Sequence, residues 1–238
     1  MTTTGTTSFN LDLNNLVEEA FERCGAELRT GYDLRTARRS LNLLTIEWAN
    51  RGINLWTIES GSIAMVQGTI AYNLPVDTID LLEQVIRTNA GTSSNQLDIN
   101  INRISADTYI TIPNKNAQGR PIQVWINRQS GATEPTSGVA YPQINVWPAP
   151  DQSNYYTFFY YRLRRLQDAG NGVNTQDIPF RFLPCMVAGL AYYLSLKVPG
   201  AMERTPMLKA MYDEAWQQAA DEDREKAPLR IAPRMSFT

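Results

Sequence analysis

Residues 44–58 read Leu44-Thr45-Ile46-Glu47-Trp48-Ala49-Asn50-Arg51-Gly52-Ile53-Asn54-Leu55-Trp56-Thr57-Ile58, and the hydrophobic period changes inside this stretch. Up to Asn50 the apolar residues recur at helical spacing. Leu34, Ala37, Leu41, Leu44 and Trp48 make one stripe, as in a helix that buries a single face. Gly52 is a stop signal. Beyond it Trp56 and Ile58, then Ile63 and Met65, follow the period of two that belongs to strands. A helix that ends where strands begin points to an α+β chain.

Toward the N-terminus, this helix starts near Asp33, with Arg35, Arg38 and Arg39 mostly off its stripe. Another helix precedes it. Asp12 suits the N-cap, Leu11 and Leu16 suit a hydrophobic staple, and Leu13, Leu16, Val17, Ala20, Phe21 and Cys24 share one face. Gly25 can close it in the left-handed conformation. The pair is expected to form an antiparallel hairpin. Residues 1–10 are Thr/Ser/Gly-rich.

Toward the C-terminus, short strands alternate with turns as far as Leu166. Ser60-Gly61-Ser62 reads as a turn. Ile70 to Leu74, Leu81 to Ile86, Leu97 to Ile104, Pro121 to Ile126 and Gln143 to Trp147 are strand candidates. Tyr155 to Leu163 is apolar on both faces, which suits a central strand. A polar loop, 167–177, leads into a helix over Pro179–Lys197, with Asp177 near its cap and Phe182, Cys185, Met186, Gly189 and Tyr193 inward. Ala188, Gly189 and Ala191 allow close packing. A last helix has Thr205 as N-cap and Pro206 in first position. Its stripe is Leu208, Met211, Tyr212, Ala215, Trp216 and Ala219, and Pro228 ends it.

The expected organisation is a helical bundle from residues 1–54 and 178–227, an inserted antiparallel β domain at 55–177, and an extended C-terminal arm at 228–238. The arm carries Arg230 and Arg234, no acid, and the apolar anchors Leu229, Ile231, Met235 and Phe237. Prolines keep it extended. These six residues are the candidate partner-binding set, since such a segment can add to a sheet edge or fill a groove on another protein.

Composition limits the chemistry. The 238 residues are 43% hydrophobic and 19% charged, enough for a core. No apolar run reaches the roughly 18 residues that span a bilayer. Met1-Thr2-Thr3-Thr4-Gly5 lacks the features of a signal peptide, so synthesis in a reducing cytoplasm is expected. Histidine is absent, which removes the commonest general base and metal ligand. Cys24 and Cys185 read as two core thiols. No cofactor, metal or catalytic set is expected.

Net charge is −2, so nothing overall favours nucleic acid. Glu18/Glu19 and Asp221/Glu222/Asp223 read as solvated helix faces. Arg162, Arg164 and Arg165 beside Tyr160 and Tyr161 have the mix of a single-strand binding surface, but also of a strand with arginines on its wet face. The Tyr and Trp content of the β segment fits a sugar-binding surface or plain core packing.

Several segments together resemble a known family. They are Trp48 to Trp56, Gln67-Gly68-Thr69-Ile70-Ala71-Tyr72-Asn73-Leu74-Pro75, Lys115 to Pro121 ending Gly119-Arg120-Pro121, and Val146-Trp147-Pro148-Ala149-Pro150-Asp151 with the strand at Tyr155. Gly189-Leu190-Ala191 and Tyr212-Asp213-Glu214-Ala215 close the set. The chain resembles the head-to-tail adaptors, or tail tubular protein A, of short-tailed bacteriophages. The resemblance implies a structural virion protein and not an enzyme. It implies a ring of twelve copies between the portal protein and the tail nozzle protein, assembled in the host cytoplasm, with double-stranded DNA passing through untethered and no membrane partner. A virion-associated cell-wall hydrolase and a carbohydrate-binding module are the alternatives.

Overall fold

A computed structural model describes residues 3–29, 31–52, 55–133 and 140–223. Within them the chain is α+β and divides into two compact units. One is built from the chain up to Leu55 and from Gln167 onward, the other from Trp56–Leu166.

The first unit is a helical bundle of α1 (Leu13–Cys24), α2 (Gly31–Arg51), α4 (Leu183–Ser195) and α5 (Thr205–Glu222). α1 buries the six residues of its apolar stripe. Its start is closed three ways: Asn15 N donates to the Asp12 side chain, Leu13 N to Asn174 O and Asn14 N to Gly172 O. These are the donors that a helix leaves without an internal partner. Gly25 ends α1 at φ 76°.

α4 is the centre of the bundle. It is buried nearly all round, from Leu183 and Cys185 to Leu194 and Ser195, and α1, α2 and α5 all pack on it. The expected α1–α2 hairpin is therefore not the organising contact: those two helices scarcely meet, because each spends its apolar stripe on α4. Close approach depends on Gly189, where an added Cβ would stand 2.9 Å from Leu44 Cδ1 and 2.9 Å from Tyr212 Cε2. Tyr193, expected inward, is half-buried. Its hydroxyl and that of Tyr212 donate to Glu47 at 2.7 and 3.2 Å, while the fully buried Trp48 donates its Nε1–H to Tyr212 at 2.9 Å. Arg51 pairs with the same glutamate and lies over the Trp216 ring at 4.6 Å.

Thr205 is not the N-cap of α5. A 3-10 turn, Met202–Arg204, leads into the helix, and the Thr205 hydroxyl donates to Ser195 Oγ at 3.0 Å instead. Loop 167–177 is tied to the helices. Besides closing α1, it places Ala169 N on Asn42 Oδ1 at 2.8 Å and receives Arg38 on Ala169 O. The expected boundary at 177 thus falls at Leu166.

The second unit holds two four-stranded sheets packed around one core. In order along the first they are β1 (Ile58–Ala64), β8 (Tyr156–Arg164), β3 (Thr78–Thr88) and β4 (Leu97–Asn100). The second runs β2 (Ala71–Asn73), β7 (Ala140–Trp147), β6 (Gln123–Thr133) and β5 (Asn102–Ile104). β8 is central, as its two apolar faces predict. The shared core includes Met65, Leu81, Ile86, Val124, Ile144, Val146 and Phe158.

Three local expectations change. Ser60-Gly61-Ser62 is not a turn but the middle of β1, and Gly61 sits opposite Tyr160. A Cβ there would lie 2.5 Å from the tyrosine ring, so the glycine makes room for a cross-strand aromatic. The run 97–104 divides at the buried Ile101, where the chain changes sheets. Its second half, β5, pairs with β6 in parallel, while the other pairs among the described strands are antiparallel. A short helix, α3 (Ala106–Ile110), follows, with Ser105 Oγ accepting from Thr108 N as its cap.

Candidate functional site

Function was expected first in the C-terminal arm. Leu229, Arg230, Ile231, Arg234, Met235 and Phe237 lie outside the described residues.

The arginines of β8 are placed, and they are not a binding surface. Arg162 is 9% exposed and belongs to the inward-facing set of β8 with Phe158 and Tyr160. A buried guanidinium must be paired. It donates to Asp77 Oδ1 at 2.5 Å, Glu59 Oε2 at 2.8 Å and Thr78 Oγ1 at 3.0 Å, and Arg164 reaches Glu59 Oε1 at 2.6 Å. Burial raises the Asp77 pKa, but the Arg162 hydrogen bond and charge outweigh it and hold the carboxyl below its ordinary value. This network closes one end of the β unit and leaves Arg162 no donor surface for phosphates. Of the three arginines, Arg165 alone has an exposed side chain. The tyrosines divide: Tyr72, Tyr109, Tyr156 and Tyr160 are core residues, while Tyr155 and Tyr161 are exposed.

The acidic run 221–223 is also corrected in part. Asp223 is buried and ion-paired with Arg181, so it is not on a solvated face. Glu18 is exposed as expected. Cys24 and Cys185 are free and buried. Desolvation pushes their thiols up to about 11 and about 12, which leaves neither as a nucleophile near neutral pH. No metal-holding group of acidic, Cys or His side chains occurs among the described residues. No helix among them is long and apolar enough to cross a membrane.

What the structure brings together is the set of motifs in the β unit. Gln67-Gly68, Gln118-Gly119 and Ala149-Pro150 lie far apart in sequence and interlock at one place. Gly68 N donates to Pro150 O at 2.9 Å, Gly119 N to Ala149 O at 2.8 Å, and Ala149 N to Ala117 O at 2.9 Å. Trp147 adds its Nε1–H to Asn114 O at 2.9 Å. Gly68 takes φ 72°, which explains a glycine there. At this place the motifs are architectural: they fix loops by backbone bonds.

One feature of the helical unit escapes a reading based on buried stripes. Tyr32, Arg35, Arg39, Leu43 and Ile46 recur at intervals of three and four, and all five are exposed. They form a second stripe on α2, distinct from its buried one. The signal is present in the sequence as a second helical periodicity, of which the off-stripe reading covers only Arg35 and Arg39.

The comparisons agree with an architectural role. Residues 12–232, which include both compact units, match the model of one family, described as SU10 adaptor protein. A search of curated proteins finds no match. On the match across nearly its whole length, the chain belongs to the SU10 adaptor protein family.

Proposed function

We propose that this chain is the repeating subunit of a head-to-tail adaptor ring of a short-tailed phage. Twelve copies sit between the portal and the tail nozzle and extend the DNA channel. The family match over residues 12–232 carries the reading. Membership makes the chain a structural phage adaptor and a virion component, in a family that is not a known enzyme class.

The physical character of the chain supports the finer reading. Its work is geometric. A ring subunit needs rigid units with broad outer faces, and the helical unit carries exposed apolar and arginine residues that its own core does not use. A lining that lets duplex DNA slide should not neutralise many phosphates, and a net charge of −2 suits that. The arm at 228–238 is the proposed tether to the portal, with apolar anchors for affinity and Arg230 and Arg234 for register. Assembly takes place in the host cytoplasm.

The test is genetic. Phage lacking the chain should accumulate heads with portals but no tails, and supplying it in trans should restore tail attachment. Normal tails in its absence would overturn the reading.

A further inference from the structure

We propose that neighbouring copies of this chain meet through two complementary faces of the helical unit, the outer stripe of α2 on one copy against the groove beside α1 on the next. The inference rests on the ring reading and names the surfaces that join its subunits.

The first face is the stripe Tyr32, Arg35, Arg39, Leu43, Ile46. Tyr32 is 64% exposed and Leu43 53%. A helix that already buries one stripe ordinarily presents solvated residues on its other side. α2 instead presents an aromatic, two aliphatics and two arginines. Among the described residues neither Arg35 nor Arg39 has a carboxylate partner. Arg38 and Arg39 line the same hollow of about 520 Å³ with Arg35, and Lys197 stands close enough for Arg39 to add to the effect of burial in lowering its pKa. Glu27 and Asp33 edge the adjoining hollow, so four cations there face two acids. Two acids offset only part of that charge, and the excess of like charge calls for an anionic partner.

The second face is on the same unit. A groove of about 580 Å³ runs between α1 and the start of α4, with Leu11, Leu183 and Val187 among its lining and Glu18, Glu19 and Glu22 along α1. Arg23 takes Glu19 at 2.9 Å. Glu18 and Glu22 remain exposed, one turn apart on the helix, with no cation on them among the described residues. Phe9, 78% exposed, lines the groove.

The match is one of charge, spacing and polarity. Two unneutralised arginines at i and i+4 face two unneutralised glutamates at i and i+4; exposed Tyr32, Leu43 and Ile46 flank the arginines, and exposed Phe9 flanks the glutamates. The two linings share no residue, and both stay open in one folded chain. They are satisfied together only between copies. A contact between two different patches is heterologous, so it leaves a free face of each kind at every step and closes on itself only as a ring. Arginine is suited to it because its fork binds carboxylate bidentately, and aromatic anchors supply area. A phosphate-binding face would explain the arginines but would strand Leu43 and Ile46 against a polar backbone.

The experiment uses two charge-reversed full-length chains, Arg35→Glu with Arg39→Glu, and Glu18→Arg with Glu22→Arg. Self-association is followed by sedimentation velocity and negative-stain microscopy, with melting curves as the fold control. Each variant alone should associate about a hundredfold more weakly than wild type, because like charges then face each other. An equimolar mixture should recover rings, since every contact in an alternating ring is again Arg against Glu. Rings that survive either reversal, or a mixture that stays dispersed, overturn the contact and leave the adaptor ring standing. A wild-type chain that never self-associates, alone or with the portal, overturns both. If Arg35→Glu with Arg39→Glu abolishes binding to a short DNA duplex and leaves association unchanged, the face belongs to nucleic acid and the proposal fails.

Discussion

Placing an aspartate at position 41 should unfold the helical unit, while the same change two residues later should be nearly silent. Leu41 is 0% exposed on the buried stripe of α2, and Leu43 points outward. Emptying a buried leucine site costs about 2–5 kcal/mol. A carboxyl sealed there at pH 7 must also be protonated. At about 1.4 kcal/mol for each of the roughly three pH units above its ordinary pKa, that adds about 4 kcal/mol. The sum, about 6–9 kcal/mol, is comparable with the whole stability of a typical domain, about 5–15 kcal/mol. An exposed substitution should stay within about 0.5 kcal/mol. Urea denaturation followed by far-UV circular dichroism, at concentrations low enough to keep the chain monomeric, measures both. Trp216→Asp, in the core on α5, should behave like Leu41→Asp. Equal midpoints for the 41 and 43 variants would refute the assigned phase of α2.

Asp77→Asn should lower stability at neutral pH and flatten its dependence on acid. A carboxyl held below its ordinary value contributes stability that is present above about pH 4 and lost as pH falls through the folded pKa. Urea midpoints between pH 7 and acid should therefore converge for wild type and variant, and parallel curves would show that the Arg162 pairing contributes nothing. Cys24 and Cys185 should resist thiol reagents near pH 8 in the native protein and react only on unfolding, since burial pushes their thiols up to about 11 and 12. Prompt native labelling would contradict their burial. Deleting the chain after Ala227 should leave the melting temperature unchanged but prevent joining to portal-bearing heads. Normal occupancy of the heads would place the tether elsewhere.

Much of the fold could be read locally, and the exceptions share a cause. α1 was legible to the residue because its cap, stripe and stop are all short-range signals. The centrality of β8 followed from its two apolar faces. Gly61 misled because its reason is Tyr160, a partner about a hundred residues away that appears only when β1 and β8 pair. Arg162 and Asp223 looked solvated for the same reason: Asp77 and Arg181 reach them from distant segments. The α1–α2 hairpin was expected from a short connection, but burial decides packing and α4 offers both helices the larger apolar surface. The α3 helix carries a legible cap in Ser105, but its five residues are too few to show a period. The exposed stripe of α2 follows the same helical period as its buried one, so periodicity alone does not separate the two.

Electron microscopy of the full-length chain mixed with its portal tests the central claim most directly. The account predicts a closed twelvefold ring on the tail side of the portal, coaxial with the DNA channel, in contact with portal and neighbours at every subunit. A chain that leaves the portal bare, or that binds as isolated copies without lateral contact, would contradict it.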